Sequence, residues 1–216
     1  MKQGAIFDMD GLLFDSERLY REGWVEMAKK FGVQPDPAFA TAVCGTSGAR
    51  MLEIIHTYYP TVDEQAFMEG CVAWVNEMLR KQVPEKPGVH EILDFLRAHG
   101  CKTAVASSSA RSMILNNLRL TGLEDCFDAV VSGQDVTNSK PAPDIFLLAA
   151  KQLGCAPTDC YVFEDGINGV RAGLAAGCAT VMIPDLTPPE EEFHSLCAGI
   201  FPSLHEARSA IQEGRL

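Results

Sequence analysis

Asp8 and Asp10, separated by Met9 and followed by Gly11, close a short apolar run, Ala5-Ile6-Phe7. Such a run reads as a buried strand. Side chains two apart on a strand point the same way, so both carboxylates leave the sheet edge together, and Gly11 lets the chain turn away. Two like charges held that close are costly unless a cation shares them or one takes a proton. The chemistry that uses such a pair is acyl or phosphoryl transfer on one carboxylate, with acid–base help from the other.

Three further segments supply matching groups. Lys102 to Ala106 reads as a strand running into Ser107-Ser108-Ser109. Ala129-Val130-Val131 is a strand followed by a polar loop to Lys140-Pro141, and Cys160 to Phe163 is a strand that delivers Glu164-Asp165-Gly166. Taken singly, the serines read as a helix cap, Lys140 as a surface lysine and Glu164-Asp165 as a turn. Taken together, all lie at strand ends of one inferred parallel sheet, where ligands of such sheets bind.

The elements that position them alternate. Helical patterns cover Val89 to His99, Arg111 to Leu120, Pro143 to Leu153 and Ile167 to Ala176, with a further strand from Ala179 to Ile183. Apolar strands of four or five residues between helices predict a parallel sheet covered on both faces. After the first strand, however, helical periodicity persists through Trp24, Met27 and Ala28 and from Ala38 to Lys81, with Asp15 or Ser16 as a cap signal and Gly45 to Gly48 as a loop. The expected architecture is an α/β, Rossmann-like core of residues 1–15 and 83–216 with an α-helical insertion over 16–82. Trp24 and Trp74 are expected in the core of that insertion, and Pro188 to Glu192 as a solvated loop or helix start.

Composition narrows the partners. A net charge of −11 over 216 residues argues against nucleic acid or an anionic membrane surface, and any phosphate site must be built locally. No apolar stretch approaches the ~18–20 residues of a membrane span. The 8 cysteines are scattered without metal-type spacing, and Lys2 leads into a strand without a signal-peptide pattern. Reduced thiols in a cytoplasmic, monomeric protein are expected.

Phosphoryl transfer through an aspartyl phosphate suits the set. A carboxylate attacking a phosphate dianion needs charge offset by Mg²⁺ and a lysine. Asp8, Asp165 and a backbone carbonyl suit Mg²⁺. Ser107 and Ser108 would hold phosphate oxygens, and Asp10 would protonate the leaving alkoxide and then activate water.

Phe7 to Gly11, the Ser107 strand end, Lys140-Pro141-Ala142-Pro143-Asp144 and Val162 to Asp165 resemble, in order and spacing, the four motifs of the haloacid dehalogenase superfamily. The insertion resembles the helical C1 cap of its β-phosphoglucomutase-like branch. The resemblance implies Asp8 as nucleophile, Asp10 as general acid/base, and Ser107 and Lys140 on the phosphate. It also implies Mg²⁺ held by Asp8, the Asp10 carbonyl and Asp165, with Glu164 nearby, and a cap hinged near Phe14–Ser16 and Val83–Gly88. Dehalogenases lack the second aspartate present here as Asp10. The mutases of the branch carry a histidine where this chain has Tyr20, and an arginine where it has Gly48, with Arg50 two residues late. The expectation is therefore a phosphatase of a small phosphorylated metabolite (sugar, polyol or nucleoside phosphate), with a phosphosugar mutase as the alternative. Tyr20 and Arg50 are candidate substrate contacts. A receiver-like signalling module, phosphorylated on an aspartate that closes a middle strand, fits poorly: it lacks such an insertion, and no aspartate closes the strand before Ser132.

Overall fold

Gly4–Phe7 (β1), Lys102–Ser107 (β2), Ala129–Ser132 (β3), Cys160–Glu164 (β4), Ala179–Met182 (β5) and Gly199–Ile200 (β6) form one sheet in the order β3-β2-β1-β4-β5-β6. Every neighbouring pair is parallel. The computed structural model describes all residues except Cys44, Gly45, Ser47, Leu186 and Thr187. The expected loop from Gly45 to Gly48 thus lies partly outside the described residues.

The helices are α1 (Ser16–Lys30), α2 (Pro37–Val43), α3 (Gly48–Tyr58), α4 (Glu64–Lys81), α5 (Val89–Ala98), α6 (Arg111–Thr121), α7 (Asp144–Leu153), α8 (Ile167–Ala175), α9 (Phe193–Leu196) and α10 (Leu204–Gln212). Ile6, Ala104, Val131 and Val162 share a core with Ile145, Phe146 and Ala149 of α7. The alternate residues Ala5, Phe7, Val105 and Phe163 point to the opposite face and are just as buried. Both faces are therefore covered, which is why these strands are apolar throughout rather than alternating.

The chain divides into two compact units, one of Met1–Phe14 with Glu85–Leu216, the other Asp15–Pro84. The divisions fall after Phe14 and after Pro84, not after Asp15 and Gln82. The second unit holds α1 to α4 and no strand among its described residues. Its core is aromatic: Trp24 stacks on Phe67 at 5.9 Å, and Phe39 meets Trp24 at 5.5 Å and Tyr59 at 4.9 Å. Trp24 is buried, whereas Trp74 is only half-buried, lying against the bare backbone of Gly23. Asp15 occupies the N-cap position of α1 but makes no capping bond there, whereas Asp63 caps α4 by accepting from the Ala66 amide at 2.8 Å.

Beyond Ile183 the structure adds α9, β6 and α10, which the sequence pattern does not resolve. Two residues of strand carry no readable period. The acidic run before α9 is anchored, with Arg171 pairing to Glu190 at 2.7 Å and to Glu192 at 3.5 Å. The described cysteines are all free thiols, and among the described residues no helix is long and apolar enough to cross a membrane.

Candidate active site

The strand order reverses around β1, since β2 lies on one side of it and β4 on the other. At such a switch point the loops leaving neighbouring strands part, and a crevice opens beyond their carboxyl ends. The parallel register brings Phe7 level with Val105 and Phe163, so Asp8 emerges beside Ala106 and Glu164. The Asp8 amide extends the ladder by donating to the Phe163 carbonyl at 3.0 Å.

Lys140 arrives from the loop before α7, through a cis peptide to Pro141. Its buried ammonium donates to Asp8 Oδ1 at 2.5 Å, to Glu164 Oε1 at 2.7 Å and to the Ala106 carbonyl at 3.3 Å. Its Nζ also lies 4.9 Å from the centre of the Phe146 ring, a cation–π approach. Burial alone would push the lysine down, but Asp8 and Glu164 outweigh it and hold Lys140 above its ordinary value. Three acceptors thus use an ammonium's three donors.

The carboxylates are less well compensated. Ligand oxygens of Asp8, Glu164 and Asp165 all lie within 4.8 Å of one another. Burial raises Asp8 from 3.8 to about 7; Lys140 opposes that, while Glu164 and Asp10 add to it. Asp165 is raised by the same burial, then by Glu164 and Asp8. A dry cluster with this excess of negative charge over one lysine is the donor set a hard divalent cation takes. Glu164 is the best satisfied of the three: Oε1 takes Lys140, and Oε2 accepts the Gly166 amide at 3.0 Å.

Two glycines make room for this packing. A Cβ on Gly11, whose φ of +86° is left-handed, would strike the Asp165 carboxylate, and one on Gly169 would overlap that of Glu164. The sequence marks Gly11 only as a turn and gives no sign of Gly169. Nothing in a helical Asn-Gly-Val marks a carboxylate resting on it.

Ser107 and Ser109 converge on Asp10. Ser107 Oγ reaches Asp10 Oδ2 at 3.3 Å and Ser109 Oγ reaches the same oxygen at 2.8 Å. The serines do not cap α6, whose N-cap is Ala110 without a side-chain bond. Ser108 is exposed beside them. In the sequence Ser109 is only a member of the serine run; its i+2 spacing from Ser107, mirroring Asp8 and Asp10, is the available signal.

The two substrate-contact candidates lie in the helical unit. Tyr20, with Trp24, Met51, Met68 and Val72, lines a cavity of about 380 Å³. Arg50 is exposed and pairs with Glu53 along α3 at 3.0 Å. The structure does not bring the two together in that cavity.

The family model for haloacid dehalogenase-like hydrolases matches residues 5–183. Among curated proteins, the fructose-1-phosphate phosphatase YqaB of Escherichia coli is 36% identical over 82% of this chain and 94% of its own length. A phosphorylated carbohydrates phosphatase of Thermotoga maritima is 33% identical over 98% of this chain and 91% of its own. A solved candidate β-phosphoglucomutase from Thermotoga maritima superposes with a TM-score of 0.83 at 28% identity, covering 98% of this chain and 99% of that one.

Proposed function

The chain belongs to the haloacid dehalogenase-like hydrolases, and from that premise we propose that it is a Mg²⁺-dependent phosphatase of a sugar or polyol phosphate, working through an aspartyl phosphate on Asp8. The observation that carries the reading is the buried contact of Lys140 with Asp8 and Glu164 at the switch point, with Asp10 held two residues further on.

Asp8 is the attacking carboxylate. Lys140 and the Ser107 hydroxyl, with donors at Ser108, hold the oxygens of the incoming phosphate and offset its charge. Asp10 gives its proton to the alkoxide oxygen as it leaves. It then takes one from the water that attacks phosphorus and frees Asp8. Asp8, the Asp10 carbonyl and Asp165 would hold Mg²⁺, with Glu164 fixing Lys140 beside them. When bound, the ion neutralises charge shared between the carboxylates and the phosphate. The named relatives support a carbohydrate phosphate as the substrate class. Tyr20 and Gly48, standing where mutases of the branch differ, favour release of phosphate over its transfer back to a sugar. The free cysteines fit a reducing compartment such as the cytoplasm.

The test is phosphate release from a panel of sugar, polyol and nucleoside phosphates, with Mg²⁺ and with EDTA, beside conversion of β-glucose 1-phosphate to glucose 6-phosphate. Mg²⁺-dependent release that vanishes in a folded Asp8→Asn variant is expected. Isomerisation without release would replace the phosphatase with a mutase, and full turnover by Asp8→Asn would remove the nucleophile.

A further inference from the structure

On the basis of the phosphatase reading, we infer that Ser109 is the positioning residue for Asp10 and that β3 anchors it through Ser132. Two hydroxyls meet one oxygen of Asp10, and they are not equivalent. The bond from Ser109 is 2.8 Å and that from Ser107 is 3.3 Å. Hydroxyl-to-oxygen bonds run from about 2.5 to 3.0 Å, so the Ser109 bond lies inside that range and the Ser107 contact beyond it. Ser107 Oγ is already engaged as an acceptor, taking the Ser109 amide at 3.0 Å. Its proton can turn from Asp10 to a phosphate oxygen while Ser109 keeps the carboxylate in place.

Ser109 is itself held. Its carbonyl accepts the Ser132 hydroxyl at 2.7 Å, and Ser132 is fully buried at the end of β3. The Ser132 amide donates to Asp135 Oδ2 at 2.8 Å, and the same carboxylate oxygen takes Arg111 at 2.6 Å. Arg111 also donates to the Val130 carbonyl at 3.1 Å. The chain of bonds therefore runs from the rigid β3 edge through Ser132 and Ser109 to Asp10. An acid/base carboxylate must meet two different oxygens in turn, the leaving alkoxide and the attacking water, and a small misplacement is costly for both. The serine run thereby divides its work, with Ser107 and Ser108 serving the phosphate and Ser109 serving the proton.

The experiment compares Ser109→Ala, Ser109→Thr, Ser132→Ala and Asp10→Asn as full-length proteins with Mg²⁺, on the substrate found in the panel. Folding is checked by thermal melting, and phosphate sensing by the inhibition constant of inorganic phosphate. Ser109→Ala is expected to lower kcat by roughly 10- to 100-fold, short of the ~10²–10⁴-fold that an acid/base group contributes. KM and the phosphate inhibition constant should stay near wild type. Ser109→Thr, which keeps the hydroxyl, should recover most of the rate, and Ser132→Ala should show a smaller loss of the same kind. Unchanged kcat in Ser109→Ala overturns the inference, as does a loss matched by weaker phosphate inhibition, which would make Ser109 a phosphate ligand. Wild-type turnover by Asp10→Asn would instead sink the acid/base reading beneath it.

Discussion

Lys140 illustrates what the residue scale contributes. A lysine in a polar loop has no distinguishing mark until a strand end places two carboxylates and a carbonyl around its nitrogen. Burial at that strand end, with Glu164 and Asp10 close by, raises Asp8 from an ordinary 3.8 to about 7 although Lys140 opposes it. A carboxyl whose pKa is raised binds its proton more tightly when folded, so its contribution to stability falls as pH climbs from about 4 to about 7 and is flat above. Lys140, held above its ordinary value, keeps its proton throughout that window. A cation held between Asp8 and Asp165, as proposed, would oppose the effect by favouring the ionised carboxylates. Thermal melts should therefore show Mg²⁺ raising the midpoint more at pH 7.5 than at pH 5. A shift of equal size at both values would mean that the ion does not engage these groups.

At the scale of elements, packing constrains positions that carry no chemistry. The backbone of α8 at Gly169 lies against the Glu164 carboxylate, so Gly169→Ala must displace either the helix or the acid that holds Lys140. Overpacking of this kind costs about 1–3 kcal/mol. Both melting temperature and kcat should drop, and a variant that loses neither would show that Glu164 has room to move. On α6 the opposite change is favourable. Asn117 is 1% exposed, and neither its Nδ2 nor its Oδ1 has a hydrogen-bond partner among the described residues. Asn117→Leu removes that unpaired amide and should stabilise the protein by about 1–2 kcal/mol in urea unfolding, with activity unchanged.

At the scale of the molecule, the chain's 2 tryptophans, Trp24 and Trp74, both fall in the unit Asp15–Pro84. Tryptophan fluorescence therefore reports the helical unit alone. Phe67 touches Trp24, Phe31 at 5.3 Å and Tyr59 at 5.3 Å, and is fully buried. Phe67→Ala should cost that unit about 3–5 kcal/mol and move the fluorescence transition to lower urea. Mg²⁺ affinity, measured by calorimetry below that transition, should stay near wild type, because the carboxylates proposed to hold the ion belong to the other unit. A parallel loss of affinity would show that the helical core supports the site.

The positions of the first five strands along the chain, their apolar runs and the polar groups at their ends were legible in the sequence by itself, because a buried parallel strand must be apolar and its functional residues must follow its last rung. From these came the Asp8–Asp10 pair, Ser107, Lys140, Asp165 and the helical insertion. Only the tertiary structure decided which groups meet. Ser109 faces Asp10 because β2 lies beside β1, and Ser132 supports it because β3 lies beside β2. Gly169 matters because a side chain five residues earlier rests on it. Contacts of this kind are set by register and strand order, over sequence separations that no local period encodes.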